Sequence, residues 1–329
     1  MWLIIKVVRN SGKGLVCMRN AFFSVIIPSR NRGGLLLRAV NSVLQQTFEE
    51  FEIIVIDDAS NDNSKSLING IGDERIQYYV NETNLERCVS RNIGIDKAQG
   101  RFICFLDSDD SFLPDHLQTL YDGISLNSNK EALYFTNSYN LNADGSIEER
   151  LCPDINNSSN VLDYILRYTF NPSRVAVEAG IMKYFKFDPE IPGLEDFDIW
   201  LRIALKHPIL QIKKRTVMYN LHSESYTIGD AMRYEKELKY FRYIFNKPEL
   251  ASRLNKSLCN RLLSMCYYHL SVKSYQLNHR VETLANSIRS FILYPKGYNG
   301  NTNKTLLVLS LYSLPILGDL IKLVNKFIK

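Results

Sequence analysis

Residues 101–110 read RFICFLDSDD, an aromatic and β-favouring apolar run halted by Asp107-Ser108-Asp109-Asp110. A run of this length and make-up predicts a buried strand with the acids at its carboxyl end. The same pattern recurs upstream. FSVIIP (23–28), FEIIVI (51–56) and Ile76–Val80 are three earlier strand candidates, and Asp57-Asp58-Ala59-Ser60 follows the second. Between them, residues 32–46 set Leu36, Ala39, Val40, Val43 and Leu44 at helical spacing, and residues 85–98 set Val89, Ile93 and Ala98 on one face. Strands alternating with helices predict an α/β fold with a mainly parallel central sheet and helices on both faces. Polar residues gather just past the strands: Ser29, Asp58, and Asp107 to Asp110. Ligands of open α/β sheets bind beyond the carboxyl ends of the strands. One crevice is therefore expected to collect all three groups.

Composition frames this reading. The chain has 329 residues, enough for one large domain and an appendage. Hydrophobic residues at 45% and charged residues at 23% exclude disordered and fibrous classes. The net charge of +5, with both signs mixed along most of the chain, is no nucleic-acid signature; it favours an anionic substrate or an anionic membrane surface. Six cysteines (Cys17, Cys88, Cys104, Cys152, Cys259 and Cys266) form no C-x-x-C pair and read as scattered, reduced core residues of a cytosolic protein. The apolar start, Met1 to Val8, is short and interrupted by Lys6, which is not the pattern of a secretion signal; Met18 is an alternative start.

Further along, Tyr134–Tyr139 reads as a strand, residues 140–144 as a turn, and Leu194–Ala204 as a helix with Phe197, Trp200, Leu201 and Ala204 at helical spacing. The pattern turns mainly helical near 229–232. Residues 305–317 (TLLVLSLYSLPIL) are almost wholly apolar, then Gly318-Asp319 intervenes and Lys322, Lys326 and Lys329 follow. A spanning helix needs about 20 apolar residues, and Pro315 and Asp319 fall inside that window. Two readings stay open: a helix lying on an anionic membrane surface, and a terminal helix docked on the protein's own core.

Several acids carry chemistry in more than one reading. Asp107 and Asp109, one residue apart at a strand end, can share a hard cation such as magnesium or manganese with substrate phosphates. The plainer alternative is helix capping, with Pro114 opening a helix and Asp110 or Ser111 as the cap. Asp57-Asp58 suits hydrogen bonds from a base or ribose, or an Asx-type turn. Glu195-Asp196, at the front of an amphipathic stretch, complements a helix dipole or supplies a general base. His222, in YNLHSES, is a structural histidine or a contact for metal or phosphate.

Taken together, FSVIIPSRNR (23–32), FEIIVIDDASNDNS (51–64), NLERCVSRNIGIDKAQGRFICFLDSDD (84–110), GLEDFDIWLRIA (193–204) and, more loosely, YNLHSES (219–225) resemble family 2 of the glycosyltransferases, which has the GT-A fold. The resemblance covers roughly residues 22–228, with the segments in the family's order. The family's common opening P-T-Y-N stands here as Pro28-Ser29-Arg30-Asn31, and the Q-x-x-R-W motif of processive synthases is absent, which favours transfer of a single sugar. The resemblance implies that Pro28, Ser29 and Asp58 border the nucleotide base and ribose, and that Arg91 sits near the nucleotide. It implies that Asp107 contacts ribose or metal, that Asp109 ligates Mg2+ or Mn2+, and that His222 approaches the metal or diphosphate. Asp196, with Glu195 beside it, would be the base of an inverting reaction. The implied donor is a nucleoside-diphosphate sugar, UDP by default. The implied acceptor is a saccharide or lipid-linked saccharide of surface-polysaccharide assembly, met on the cytoplasmic side, with the apolar, basic C-terminus as a candidate contact to the membrane surface. The expected division is an extension over 1–21, a transferase domain over 22–229, a helical region over 230–304 and an apolar, basic helix over 305–329. Two rival classes stay in view. A sugar nucleotidyltransferase would show a longer glycine-rich loop than Arg32-Gly33-Gly34, and a non-catalytic nucleotide-sugar-binding scaffold would not need Asp58, Asp107, Asp109 and Asp196 all intact. A dinucleotide-dependent dehydrogenase would show G-x-G-x-x-G after the first strand, which is missing.

Overall fold

The computed structural model describes residues 21–150, 152–191, 193–221 and 232–295. His222, the stretch before residue 21 and the stretch 305–329 lie outside them. The described residues form two compact units, 21–161 with 167–221 and 162–166 with 232–295.

The first unit opens with β1 (Phe23–Ser29), α1 (Gly33–Leu44), β2 (Phe51–Asp57), α2 (Ser64–Asn69), β3 (Ile76–Val80), α3 (Glu86–Lys97) and β4 (Phe102–Phe105). Every residue of β2 and β4 is buried, as strands covered on both faces require. The strands lie in the order β3-β2-β1-β4, all parallel. Val25 and Ile27 of β1 belong to one core cluster with Leu36, Val40 and Val43 of α1. Ile26 points the other way, against α3, where Gly94 has no room for a Cβ. The α/β alternation and the parallel pairing read from the sequence are present here. The short α2 escapes sequence reading because six residues give too little periodicity.

The second half of the sheet follows different rules. β5 (Ser111–Phe112), α4 (His116–Leu126), β6 (Leu133–Leu141) and β7 (Ile147–Arg150) come next, then α5 (Val161–Arg167), β8 (Val175–Glu178), α6 (Ala179–Phe185), α7 (Glu195–Ala204) and β9 (Ile209–Asn220). Antiparallel β8 joins β4 to β6, β9 runs parallel to β6, and β5 closes antiparallel on β9, so that nine strands of the described residues share one sheet. The expected turn over 140–144 falls slightly later. Asn142 and Ser146 close a hairpin between β6 and β7. The capping alternative for the acidic loop fails: Ser111 is in a strand, Asp110 is wholly buried, and α4 begins at His116 without a side-chain cap.

In the second unit, α8 (Arg233–Phe245), the single turn α9 (Pro248–Ala251), α10 (Lys256–Gln276) and α11 (Arg280–Leu293) follow one another. Leu238, Phe241, Ile244 and Tyr267 are among its buried side chains.

Candidate active site

Chain order reverses between β1 and β4: β2 and β3 extend the sheet to one side of β1, and β4 starts the other side. The crevice of an open α/β sheet forms at such a switch point. Pro28 sits at it. β1 stays registered with β2 through Ser29↔Asp57, but its register with β4 ends at Ile26↔Phe105. In a parallel ladder alternate residues bond to opposite neighbours, so the N–H that Pro28 lacks would have faced the side where β4 has already parted. Ser29 follows, buried, and its Oγ has no hydrogen-bond partner among the described residues.

The acidic pair after β2 divides its work. Asp57 makes the turn, accepting from Ser60 N at 2.8 Å and from the Tyr78 hydroxyl. Asp58, also buried, takes Asn81 Nδ2 and Leu85 N on Oδ1, each at 2.8 Å, and its own N–H donates to Ser29 O at 2.8 Å. The loops past β1 and β2 are clipped together by Asn31 N to Ser60 Oγ (2.9 Å) and Asn61 N to Asn31 Oδ1 (2.8 Å). Ala59 holds a left-handed φ of 58° there, a conformation an L residue keeps only when its surroundings enforce it.

Arg91 ties distant segments together. It lies on α3, buried, with Nη2 donating to Asp107 Oδ1 at 2.6 Å and Nη1 to Glu195 Oε1 at 3.2 Å. The guanidinium lies over the Phe187 ring at 5.3 Å. Burial works against its charge, but Asp107 and then Glu195 outweigh that and hold it protonated more firmly than usual. Arg91 thus links the acidic loop to the first residue of α7, Glu195, which lies 104 positions beyond Arg91 in sequence.

The acidic loop itself separates three carboxylates. Asp110, wholly buried, accepts from Ser173 Oγ at 2.7 Å and Asn220 N at 3.2 Å. Burial, then Asp107 and Asp109, raise its carboxyl well above the usual range, and its hydrogen bonds to Ser173 and Asn220 anchor the loop. Asp107 N donates to Ser173 Oγ at 3.1 Å. Asp109 Oδ2 receives Arg32 Nη1 at 2.6 Å, while its carbonyl takes Arg38 Nη2 at 2.7 Å and Asn220 Nδ2 at 2.5 Å. Sequence reasoning passed over Arg32, Arg38, Asn81, Ser173 and Asn220. Arg32 and, in the looser YNLHSES match, Asn220 lay inside matched segments; the others are polar residues with no local pattern to mark them.

At the head of α7 the two acids also differ. Glu195 is buried and accepts from Gly193 N at 2.7 Å, from Arg91, and from Arg87 Nε at 3.4 Å. Asp196 is only half-buried, with Phe197 N on its Oδ1 at 2.8 Å. Burial, and after it the Glu195 carboxylate, push the Asp196 carboxyl up to about 7. Glu195 is thus engaged by Gly193, Arg91 and Arg87, whereas Asp196 accepts from Phe197 N at the head of the helix.

The donor chemistry for a cation is two carboxylates, Asp107 and Asp109, already engaged by Arg91 and Arg32. Among the described residues no three His, Cys, Asp or Glu side chains converge to hold a metal. Hard oxygen ligands in this number fit a magnesium- or manganese-class ion whose remaining ligands come from phosphate and water.

Residues 24–147 match the profile described as Glycosyl transferase family 2. An uncharacterized glycosyltransferase of Rickettsia bellii is 30% identical over 242 residues, 71% of this chain and 34% of that one. The chain spans 34–40% of the length of this and two further Rickettsia relatives. The putative colanic acid biosynthesis glycosyl transferase WcaA of Escherichia coli is 25% identical over 71% of this chain and 85% of its own. A GalNAc(5)-diNAcBac-PP-undecaprenol beta-1,3-glucosyltransferase of Campylobacter jejuni is 42% identical over 100 residues, 30% of this chain and 32% of its own. Among solved structures, S. aureus TarS 1–349 in complex with UDP-GlcNAc superposes with a TM-score of 0.62 at 19% identity, over 88% of this chain and 85% of TarS. The mannosyltransferase PcManGT of Pyrobaculum calidifontis, in complex with GDP-Man and Mn2+, gives 0.55 at 14%, over 90% and 87%. The strand order that sets Ser29, Asp58 and Asp107 around one switch point is the GT-A arrangement, and the chain belongs to family 2 of the glycosyltransferases.

Proposed function

We propose that the chain moves one sugar, with inversion, from a nucleoside-diphosphate sugar to a hydroxyl of a lipid-linked saccharide during surface-polysaccharide assembly. A UDP sugar is the favoured donor. The cytoplasmic face of a membrane is the favoured place, with residues 305–329 as a contact to it. The activity is assigned to residues 22–229, with 230–304 as a helical appendage. The supporting observation is the Arg91 bridge. One buried guanidinium holds Asp107 of the acidic loop and Glu195 beside Asp196, which keeps the leaving-group end and the base end of a transfer in fixed relation. The names of the Escherichia coli and Campylobacter jejuni relatives support the pathway class and the lipid-linked acceptor, and the UDP-GlcNAc complex of TarS supports the donor class.

In this mechanism Ser29 and Asp58 border the nucleoside. Asp196 takes the proton of the acceptor hydroxyl as that oxygen bonds to the anomeric carbon from the face opposite the diphosphate. The bond from that carbon to the diphosphate oxygen breaks, and the nucleoside diphosphate leaves. Asp109 and Asp107, with His222 assigned as a further contact, would hold a Mg2+ or Mn2+ ion, which would supply charge neutralisation for the leaving diphosphate. Arg91 stays charged throughout and fixes both carboxylates. A carboxylate with a raised pKa is a better proton acceptor, and it is competent above its pKa.

The test is thermal denaturation with UDP, GDP and dTDP, with and without Mn2+. Ligand at a hundred times its Kd stabilises the native state by about 2.7 kcal/mol. UDP with Mn2+ is expected to raise the midpoint, and Asp109→Ala to remove the metal-dependent part. If no diphosphate moves the midpoint under any condition, the donor assignment fails. If binding occurs but no acceptor or water ever turns the donor over, the scaffold alternative takes its place.

A further inference from the structure

The α10–α11 pair of the helical unit buries its polar side. Ser264, Ser271, Thr283, Ser287 and Ser290 are all buried. Across the contact, Ser264 Oγ and Ser290 Oγ lie 3.0 Å apart, Ser271 Oγ and Ser287 Oγ 2.6 Å apart, and Ser271 Oγ also donates to Thr283 O at 2.8 Å. At about 100° per residue, Thr283, Ser287 and Ser290 occupy one side of α11, and Val281, Ile288 and Ile292 cluster within about 40° of one another on the opposite side. Those three are left exposed, at 78%, 40% and 71%. A helix packed for water does the reverse, hiding its apolar stripe. Small hydroxyl residues at the helix contact with branched apolar residues outward is the packing of helices that meet lipid. No helix of the described residues is long and apolar enough to cross a membrane, which leaves contact in the plane of the interface.

Charge selects the surface. Residues 232–329 carry sixteen Lys and Arg against five Asp and Glu, whereas residues 1–231 carry twenty-four against thirty, so the basic excess of the whole chain resides in its last third. On α11 itself, Arg280 and Arg289 are both exposed and flank the apolar stripe on its two sides. The exposed acid of this helix, Glu282, faces His279 at 3.3 Å. The segment that continues from α11 ends in an apolar run followed by Lys322, Lys326 and Lys329, the same pairing of apolar and basic residues.

We infer that the Val281, Ile288 and Ile292 face of α11, flanked by Arg280 and Arg289, docks on the surface of an anionic phospholipid bilayer. The inference rests on and deepens the membrane part of the proposed function, and it places the contact on α11 in addition to residues 305–329. The experiment is co-sedimentation of the full chain with vesicles of phosphatidylcholine containing about 40% phosphatidylglycerol, and with phosphatidylcholine alone. The full chain is expected to partition onto the anionic vesicles. Val281→Ser/Ile288→Ser/Ile292→Ser is expected to weaken that partition roughly tenfold or more with an unchanged melting midpoint, since exposed positions add little to stability. Arg280→Gln/Arg289→Gln is expected to weaken it roughly tenfold on anionic vesicles only. The inference is overturned if the serine variant partitions like the unaltered chain, which would leave binding to residues 305–329. It is overturned as well if the unaltered chain stays in the supernatant, or if light scattering shows a dimer that the serine variant dissolves, since a second copy would then cover the face. Calorimetry of UDP with Mn2+ on the same variants reads the donor site separately: loss of nucleotide binding in every form would sink the transferase reading and leave this one standing.

Discussion

In the sheet unit, Val25 and Ile27 pack on Leu36 and Val40, while hydroxyls and carboxylates wait beyond the strand ends at Ser29, Asp58 and Asp107. In the helical unit, Ser271 meets Ser287 inside the contact, and Val281 and Ile292 stand outside. The two units differ in which solvent their remaining surface is arranged for. The sheet unit concentrates its polarity at one edge, where chemistry needs it. The helical unit spends its polarity on its own cohesion and leaves its apolar side free for something other than water.

The comparison breaks most visibly at Asp196. Asp196→Asn is expected to keep nucleoside-diphosphate affinity and to lower transfer by about 10²–10⁴-fold. The unaltered enzyme should show kcat/KM rising with pH through about 7 as Asp196 loses its proton, and falling away below that value. A mutant that turns over as well as its parent, or a flat profile across that range, removes Asp196 from the base role. Arg91→Ala comes next. It leaves buried Glu195 with Arg87 as its remaining guanidinium partner and frees Asp107, and is expected to cost on the order of 3 kcal/mol of stability, read as a lowered midpoint in urea. A smaller loss would mean that the bridge is a surface pair in effect.

Two further changes set core against core. Gly94→Ala, in a closely packed apolar contact with Ile26, is expected to destabilise the sheet unit by about 1–3 kcal/mol. Ser271→Ala alone leaves Ser287 Oγ without this partner and should cost about 1 kcal/mol, while Ser271→Ala/Ser287→Ala together should recover part of that loss. A double-mutant cycle in chemical denaturation checks it; purely additive losses would show that the hydroxyl pair is not a coupled interaction.

The sheet unit was legible because its strands announce themselves. Phe51–Ile56 is continuously apolar, and the acids after it and after Leu106 mark where chain direction changes. The carboxylate set was legible for the same reason, being tied to strand ends. What held that set in place was not. Arg91 and Glu195 are 104 residues apart, and Ser173 and Asn220 reach Asp110 from elements whose local sequence has no distinguishing period. β8, four residues long, gives no alternation to detect. The α11 face was hidden for another reason. Helical spacing reveals that Val281, Ile288 and Ile292 share a side, but periodicity carries no sign telling which side is buried. Of the two readings offered for this acidic motif, the turn is seen at Asp57, while Asp58 is buried with Asn81 and Leu85 on its Oδ1.

The serine seam between α10 and α11 also has a calorimetric consequence. Separating helices that meet through Ser264, Ser271, Ser287 and Ser290 exposes hydroxyls to water, and polar exposure lowers the heat capacity that apolar exposure raises. Per residue, this contact contributes less to the heat-capacity increment of unfolding than the Val25–Val40 layer does. Its share of the free energy therefore varies along a flatter curve, weakening less on cooling than the sheet core, whose cohesion is hydrophobic.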